Sequence, residues 1–227
     1  MRISSRVLIS VFAIAMIVGV FGVQQSNAQI LSDILKTMEG HKNSLQSLKA
    51  SVKMTEYEAA LGDETVKNGD VSYVPRPGKD ALVRIDWIRP DETLVVASGK
   101  YILYRKRLNQ AIVGKVDDSK KQKGTNNALK FMSMSKKELQ DNYEVVYLGQ
   151  PTVGGVEAWH LKLTPKGPDS FKIAELWVDG NGMPIQAMIR QKNNDESTIR
   201  LSKIKKNEVI KTSVFKIDLK GVKIIDG

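Results

Sequence analysis

The sequence predicts one mainly-β domain, a single curved antiparallel sheet of roughly eleven strands covered by helices. Three observations lead there. Apolar residues alternate with polar ones at a period of two through most of the chain, and turn-forming residues separate the alternating runs. No crossover helices stand between those runs, so neighbouring strands pair antiparallel. A two-sheet sandwich is the other architecture with this pattern, but it leaves a helical insert near residues 124–142 without a role.

The chain opens on a segment of another kind. Arg2 and Arg6 form a basic flank, Val7 to Val23 is an apolar run without a charge, and Ser26-Asn27-Ala28 offers small residues before a cut. Residues 1–28 therefore read as a signal peptide for export, and 29–227 as the folded domain. The run of about 17 residues falls just short of the ~20 a membrane span needs, so retention as an anchor stays open.

From Gln29 to about Leu48, Ile30, Ile34, Leu35, Met38, Leu45 and Leu48 recur at helical spacing. The period then changes. Val52 and Met54, Val71 and Tyr73, and Val83, Ile85 and Trp87 each alternate with polar neighbours. Further strand-like runs are Thr93–Ser98, Lys100–Arg105 and Gln110–Val116, and turns at Lys67-Asn68-Gly69, Arg76-Pro77-Gly78, Arg89-Pro90-Asp91 and Ser98-Gly99 part the strands. Around Leu129, Met132 and Leu139 the alternation stops, and Ser135 with Glu138 three residues on forms a capping box. Strands resume at Tyr143–Gly149, Val156–Leu163, Phe171–Val178, Met183–Gln191 and Ser197–Lys205, with a last pair near Val214–Ile217 and Val222–Ile225. Asp179-Gly180-Asn181-Gly182 marks a hairpin.

Composition excludes several functions. With no cysteine, an exported chain has no disulfides, no cysteine nucleophile and no acceptor for N-terminal lipidation. His41 and His160 are the only histidines and neither sits in a metal-binding pattern. Glu56 and Glu58 share a strand face, as solvent-facing acids commonly do. No catalytic set emerges, so the chain reads as a non-enzyme with no cofactor and no metal. The net charge of +10 is carried partly by clusters at Lys120, Lys121 and Lys123, at Lys136 and Lys137, and at Lys203, Lys205 and Lys206. Such a surface either keeps the protein soluble or steers it to anionic lipid; nothing resembles a nucleic-acid motif.

An ordered series of short motifs carries a family resemblance. It runs Gly69-Asp70-Val71, Arg76-Pro77, Pro90-Asp91-Glu92, Val95-Val96 and Gly99-Lys100 in the first half. Leu176-Trp177-Val178-Asp179, Gly182, Pro184, Thr198-Ile199, Leu201-Ser202, Phe215 and Gly221-Val222 continue it. The chain resembles the outer-membrane lipoprotein carrier family, the LolA-type periplasmic chaperones. The resemblance implies an incomplete, half-open β-barrel with a helical lid over a hydrophobic cavity. It implies a periplasmic monomer that takes acylated lipoproteins from an inner-membrane ABC transporter and hands them to an outer-membrane acceptor. A related lipid or glycolipid binder, or a sensor using the same cup, is the alternative.

On that resemblance Arg76 is the residue that hydrogen-bonds the lid, and Val83, Ile85 and Trp87 line the cavity, with Met54, Tyr73 and Met132 completing the candidate lining. Periodicity alone places Val83, Ile85 and Trp87 on one strand face, where an ordinary packed core is equally compatible; Arg84 and Asp86 would then face water. Soft, unbranched methionines at Met38, Met54, Met132, Met134, Met183 and Met188 suit either an adaptable cavity or gap-filling. Two departures from the family pattern, Arg105-Lys106-Arg107 after a shortened Tyr101–Tyr104 strand and an early C-terminus, leave the transporter and acceptor open.

Overall fold

A computed structural model describes residues 27–76, 79–116, 134–169 and 171–227. Residues 1–26 of the proposed signal peptide, Met132 and most of the helical insert lie outside these residues, while Asn27 and Ala28, expected to end the signal, open the first helix. Helix α1 (Asn27–Ser44) leads into β1 (Leu48–Glu58), β2 (Asp63–Val74), β3 (Leu82–Trp87), β4 (Glu92–Ala97), β5 (Lys100–Arg105) and β6 (Gln110–Lys115). Helix α2 (Lys136–Asn142) precedes β7 (Tyr143–Gly149), β8 (Thr152–Val153), β9 (Val156–Pro165), β10 (Phe171–Asp179), β11 (Pro184–Gln191) and β12 (Glu196–Lys206); β13 (Lys223–Asp226) ends the chain.

The strands form one open sheet in the order β13-β6-β5-β4-β3-β2-β1-β12-β11-β10-β9-β7, with β8 paired to β9. It never closes on itself, as a half-barrel requires. Among the described residues thirteen strands stand where roughly eleven were expected. The sheet is antiparallel except at one edge, where β13 joins β6 in parallel. A long connection from mid-sheet β12 to the far edge fixes no strand direction, unlike a tight hairpin. Expected strand Val214–Ile217 is replaced by a 3₁₀ turn over Thr212–Phe215.

Helix α1 stops at Ser44, so Leu48 belongs to β1 rather than to the helix. The cause lies far along the chain. The Asn207 side chain accepts from the Gln46 amide at 2.8 Å and donates to the Ser44 carbonyl at 3.3 Å, giving the end of the helix non-helical partners. The capping box is present at α2: the Glu138 amide donates to Ser135 Oγ, and Glu138 Oε2 accepts from the Ser135 amide at 2.7 Å. Glu39 of α1 accepts from the Lys136 amide at 2.7 Å, tying the two helices together.

The two faces of the sheet carry separate cores. On the inner face, Val52, Met54, Val71, Ile85, Leu94, Leu161, Leu176, Ile199 and Leu201 join Ile34, Leu35 and Met38 of α1 and Leu139 of α2. On the outer face, Leu82 and Val95 pack with Phe215, whose 3₁₀ turn lies against β3 and β4. Arg84 and Asp86 share that outer face and meet water in part, their side chains being 25% and 42% exposed. Arg84 makes two hydrogen bonds to the Asp86 carboxylate, at 2.6 and 2.8 Å, and donates to the Val214 carbonyl at 2.9 Å. Thr93 donates to Asp86 at 2.7 Å.

Burial pushes the Asp86 carboxyl up, but the hydrogen bonds from Arg84 and Thr93 and the charge of Arg84 outweigh it and hold its pKa below the ordinary value. Because the folded-state value is depressed, Asp86 contributes stability above its unfolded-state pKa, and that contribution is lost as pH falls through the lower folded value. Asp86→Asn is therefore expected to flatten the acid limb of the stability curve below about pH 4. Urea midpoints across that range check it; an unchanged slope refutes the coupling.

Candidate functional site

Alternation decides which side chains reach the inner face, and strand register decides which of them touch. Tyr73 stands opposite Val83, Val83 opposite Val96, and Leu103 opposite Ile112; Leu94 bridges Ile85 and Leu103. The result is one apolar surface running through β2 to β6. Its exposure changes along the sheet. From β1 through β12 to β9, the inner-face residues Val52, Met54, Leu161, Leu163, Leu176, Val178, Ile199 and Leu201 are buried. Through β2 to β6, Val71, Ile85, Leu94 and Tyr101 are buried as well, while Tyr73, Val83, Val96, Leu103 and Ile112 are only partly buried against the same core. A polar rim borders this half: Arg105 meets Glu92 at 3.3 Å, and Lys67 meets Glu56 at 2.9 Å.

The candidate lining residues divide accordingly. Met54 and Ile85 are 0% exposed and Trp87 is 5% exposed, so these three form the packed floor. Tyr73 and Val83 stand in the half-exposed surface. Val96, Leu103 and Ile112 belong with them, although sequence reading did not single them out; the register of β3 to β6 is the signal that finds them. Met132 is outside the described residues. Met38, Met183 and Met188 are buried, and Met134 packs partly buried against the inner core.

Arg76 lies in the β2–β3 connection, where its Nε donates to the Asp80 carbonyl at 2.7 Å. This bond stiffens its own loop and uses one of five donors. Of the two histidines, His160 Nε2 lies 2.7 Å from Glu175 Oε2, and its ring stacks on Trp177 at 4.3 Å. Nε2 of His41 is buried without a hydrogen-bond partner among the described residues. Burial, reinforced by the charge of Lys206, lowers its pKa and favours the neutral ring. Glu56, which shares a strand face with Glu58, is committed to Lys67.

An open sheet whose apolar inner face packs against two helices, with a row of partly buried apolar residues along β2 to β6, is a half-barrel, distinct from a closed barrel or a sandwich. The model of the family described as "Outer membrane lipoprotein carrier protein LolA" matches residues 43–218. The chain belongs to the LolA family. No curated protein sequence matches it. Among solved structures it is similar to an uncharacterized conserved protein from Thermus thermophilus, at 15% identity and TM-score 0.56, covering 88% of this chain and 100% of that one. It is also similar to MucB, at 12% identity and TM-score 0.53, covering 82% of this chain and 62% of that one. A LolA superfamily protein from Nitrosomonas europaea aligns at 13% identity and TM-score 0.41, over 82% and 97% of the two chains.

Proposed function

We propose that this protein is an exported, periplasmic carrier that holds the acyl chains of lipoproteins against its inner face and moves them from the inner to the outer membrane. The observation that carries the proposal is the half-exposed apolar surface of Tyr73, Val83, Val96, Leu103 and Ile112, which is continuous with a solid floor. Each methylene laid on such a surface gains about 0.8 kcal/mol, so an acyl chain of ~16 carbons supplies ample affinity without one specific contact. The floor residues Met54, Ile85 and Trp87 shape that surface from beneath.

The charge reads in the same direction. Arg76 retains terminal guanidinium donors beyond its bond to Asp80, and these are suited to holding lid carbonyls over bound lipid. An inner-membrane transporter and an outer-membrane acceptor would complete the route, with the carrier itself monomeric.

Native mass spectrometry of protein recovered from the periplasm tests this. Wild type is expected to carry acylated lipoprotein or free acylated lipid. Val83→Asp should lose that mass while remaining folded, because Val83 is only partly buried. Arg76→Leu should keep the cargo but transfer it more slowly to acceptor membranes. Co-purification of glycolipid in place of lipoprotein would move the protein to a related lipid-binding role. A wild-type chain that carries no lipid removes the carrier reading.

A further inference from the structure

Sequence order and sheet order together bring two exposed hairpin tips side by side. Strands β3 to β6 are consecutive neighbours, so the β3–β4 and β5–β6 turns emerge at the same end of the sheet. Two strand spacings, roughly 10 Å, separate them. Each tip presents one aliphatic side chain to solvent: Ile88 is 65% exposed and Leu108 is 60% exposed. Each aliphatic adjoins an exposed arginine, Arg89 beside Ile88 and Arg107 beside Leu108.

The local acids are already engaged. Lys106 holds Asp91 at 2.6 Å and Arg105 holds Glu92 at 3.3 Å, while the Lys106 amide donates to the Asp91 carbonyl at 3.3 Å and locks the tips together. Arg89 and Arg107 have no carboxylate partner among the described residues. The C-terminal turn adds to the cations. Asn109 donates to the Gly221 carbonyl at 2.9 Å and accepts from the Lys223 amide at 3.0 Å, which sets exposed Lys220 and Lys223 beside the β5–β6 tip. The β1–β2 hairpin differs: its ladder runs on from Gly69, opposite Trp87, to the Glu58–Asp63 pair, so it overhangs the β3–β4 turn by roughly 20 Å, and exposed Leu61 stands at its tip among Glu58, Asp63 and Glu64. The basic surface therefore stops at β3.

We propose that the β3–β4 and β5–β6 tips, with the turn at Lys220–Lys223, form a docking surface for an anionic phospholipid bilayer. Ile88 and Leu108 enter the headgroup layer while Arg89, Arg107, Lys220 and Lys223 meet lipid phosphates. Paired protruding aliphatics favour a bilayer over an acidic protein or a polynucleotide, neither of which offers a layer for both to enter. Because the acidic β1–β2 hairpin overhangs these turns, the docked molecule lies obliquely, on its β3–β6 side, with that hairpin held clear of the anionic surface. That is the half of the sheet whose inner face is partly open, and the docked geometry would place the acyl-binding surface beside the membrane. The docking itself does not require that lipid-carrier reading.

Flotation of the periplasm-derived protein tests it, using vesicles of phosphatidylcholine alone and of phosphatidylcholine and phosphatidylglycerol in equal parts. Binding is expected only to the mixed vesicles and should weaken with salt. Each cation near an anionic surface is worth about fivefold in partitioning, so R89E/R107E should bind at least ~25-fold more weakly. I88S/L108S should lose about tenfold per side chain while keeping the salt dependence. All four positions are exposed, so folding is expected to persist, and circular dichroism verifies it. Wild-type binding by either double variant, or equal binding to both vesicle types, overturns the proposal. So does capture of polyglutamate without capture of vesicles, which would make the surface a protein dock. Acyl occupancy measured by native mass spectrometry is a separate readout, so failure to dock and failure to carry lipid are distinguishable.

Discussion

Gly182→Val is expected to destabilise the protein by roughly 4 kcal/mol or more, against a typical domain stability of about 5–15 kcal/mol. Two effects add. Gly182 has φ +82°, a backbone region that costs an L-residue about 1–2 kcal/mol. Space is the second. A Cβ at this position would lie 2.4 Å from the Thr37 carbonyl oxygen and 2.8 Å from the Met38 amide nitrogen, both in the backbone of α1. The turn cannot yield easily: Asp179 Oδ1 accepts from the Asn181 amide at 2.9 Å and the Met183 amide at 2.8 Å. Helix α1 must therefore lift, carrying Ile34, Leu35 and Met38 out of a core in which each is worth about 1.5–3 kcal/mol. Gly180→Ala is the control, since nothing lies within 4 Å of a Cβ at that position. Urea unfolding separates them. Equal midpoints for the two variants would show that α1 is not seated on the hairpin.

Gly69→Val is expected to have the second-largest effect, about 3 kcal/mol or more. Here the backbone conformation is not at issue. A Cβ on Gly69 would lie 2.3 Å from the Asp86 carbonyl oxygen and 3.1 Å from Trp87 Cα, in the neighbouring strand. Glycine inside a strand often marks such a close backbone approach, where a sheet bends sharply. Gly69 pairs with Val52 on one side and Trp87 on the other, in the middle of the sheet. A larger residue must part β2 from β3 and disturb buried Trp87, the floor of the proposed binding surface. Both thermal stability and lipid occupancy should fall together. A variant with a wild-type unfolding temperature would show that the two strands have room to spare.

How much of this was legible depends on the distance over which each feature is set. The α2 capping box spans three residues, and the turn at Asp179 four; both were readable because their hydrogen bonds close within the motif. The inner-face set of Val83, Ile85 and Trp87 was readable for the same reason, since alternation along one strand fixes a shared face. What period two leaves undetermined is which face meets what. Arg84 and Asp86 were expected to face water and do so in part; what alternation could not show is the partial cover of the outer face at β3 by a segment 130 residues further on, through Val214 and Phe215. The end of α1 was misplaced similarly, because Asn207 that terminates it is 161 residues from Gln46.

The sequence by itself determined that this chain is mainly β, where several of its turns fall, and to which family its motifs point; Lys67-Asn68-Gly69, read as a turn, lies instead within β2 and pairs with β1. Tertiary structure alone decided that β13 runs parallel to β6, and that Val83 is partly buried while Ile85, two residues along, is sealed. The division has a physical cause. Turn chemistry and alternation are enforced by neighbours a few residues apart, whereas exposure on a common face depends on which distant helix or strap covers each strand.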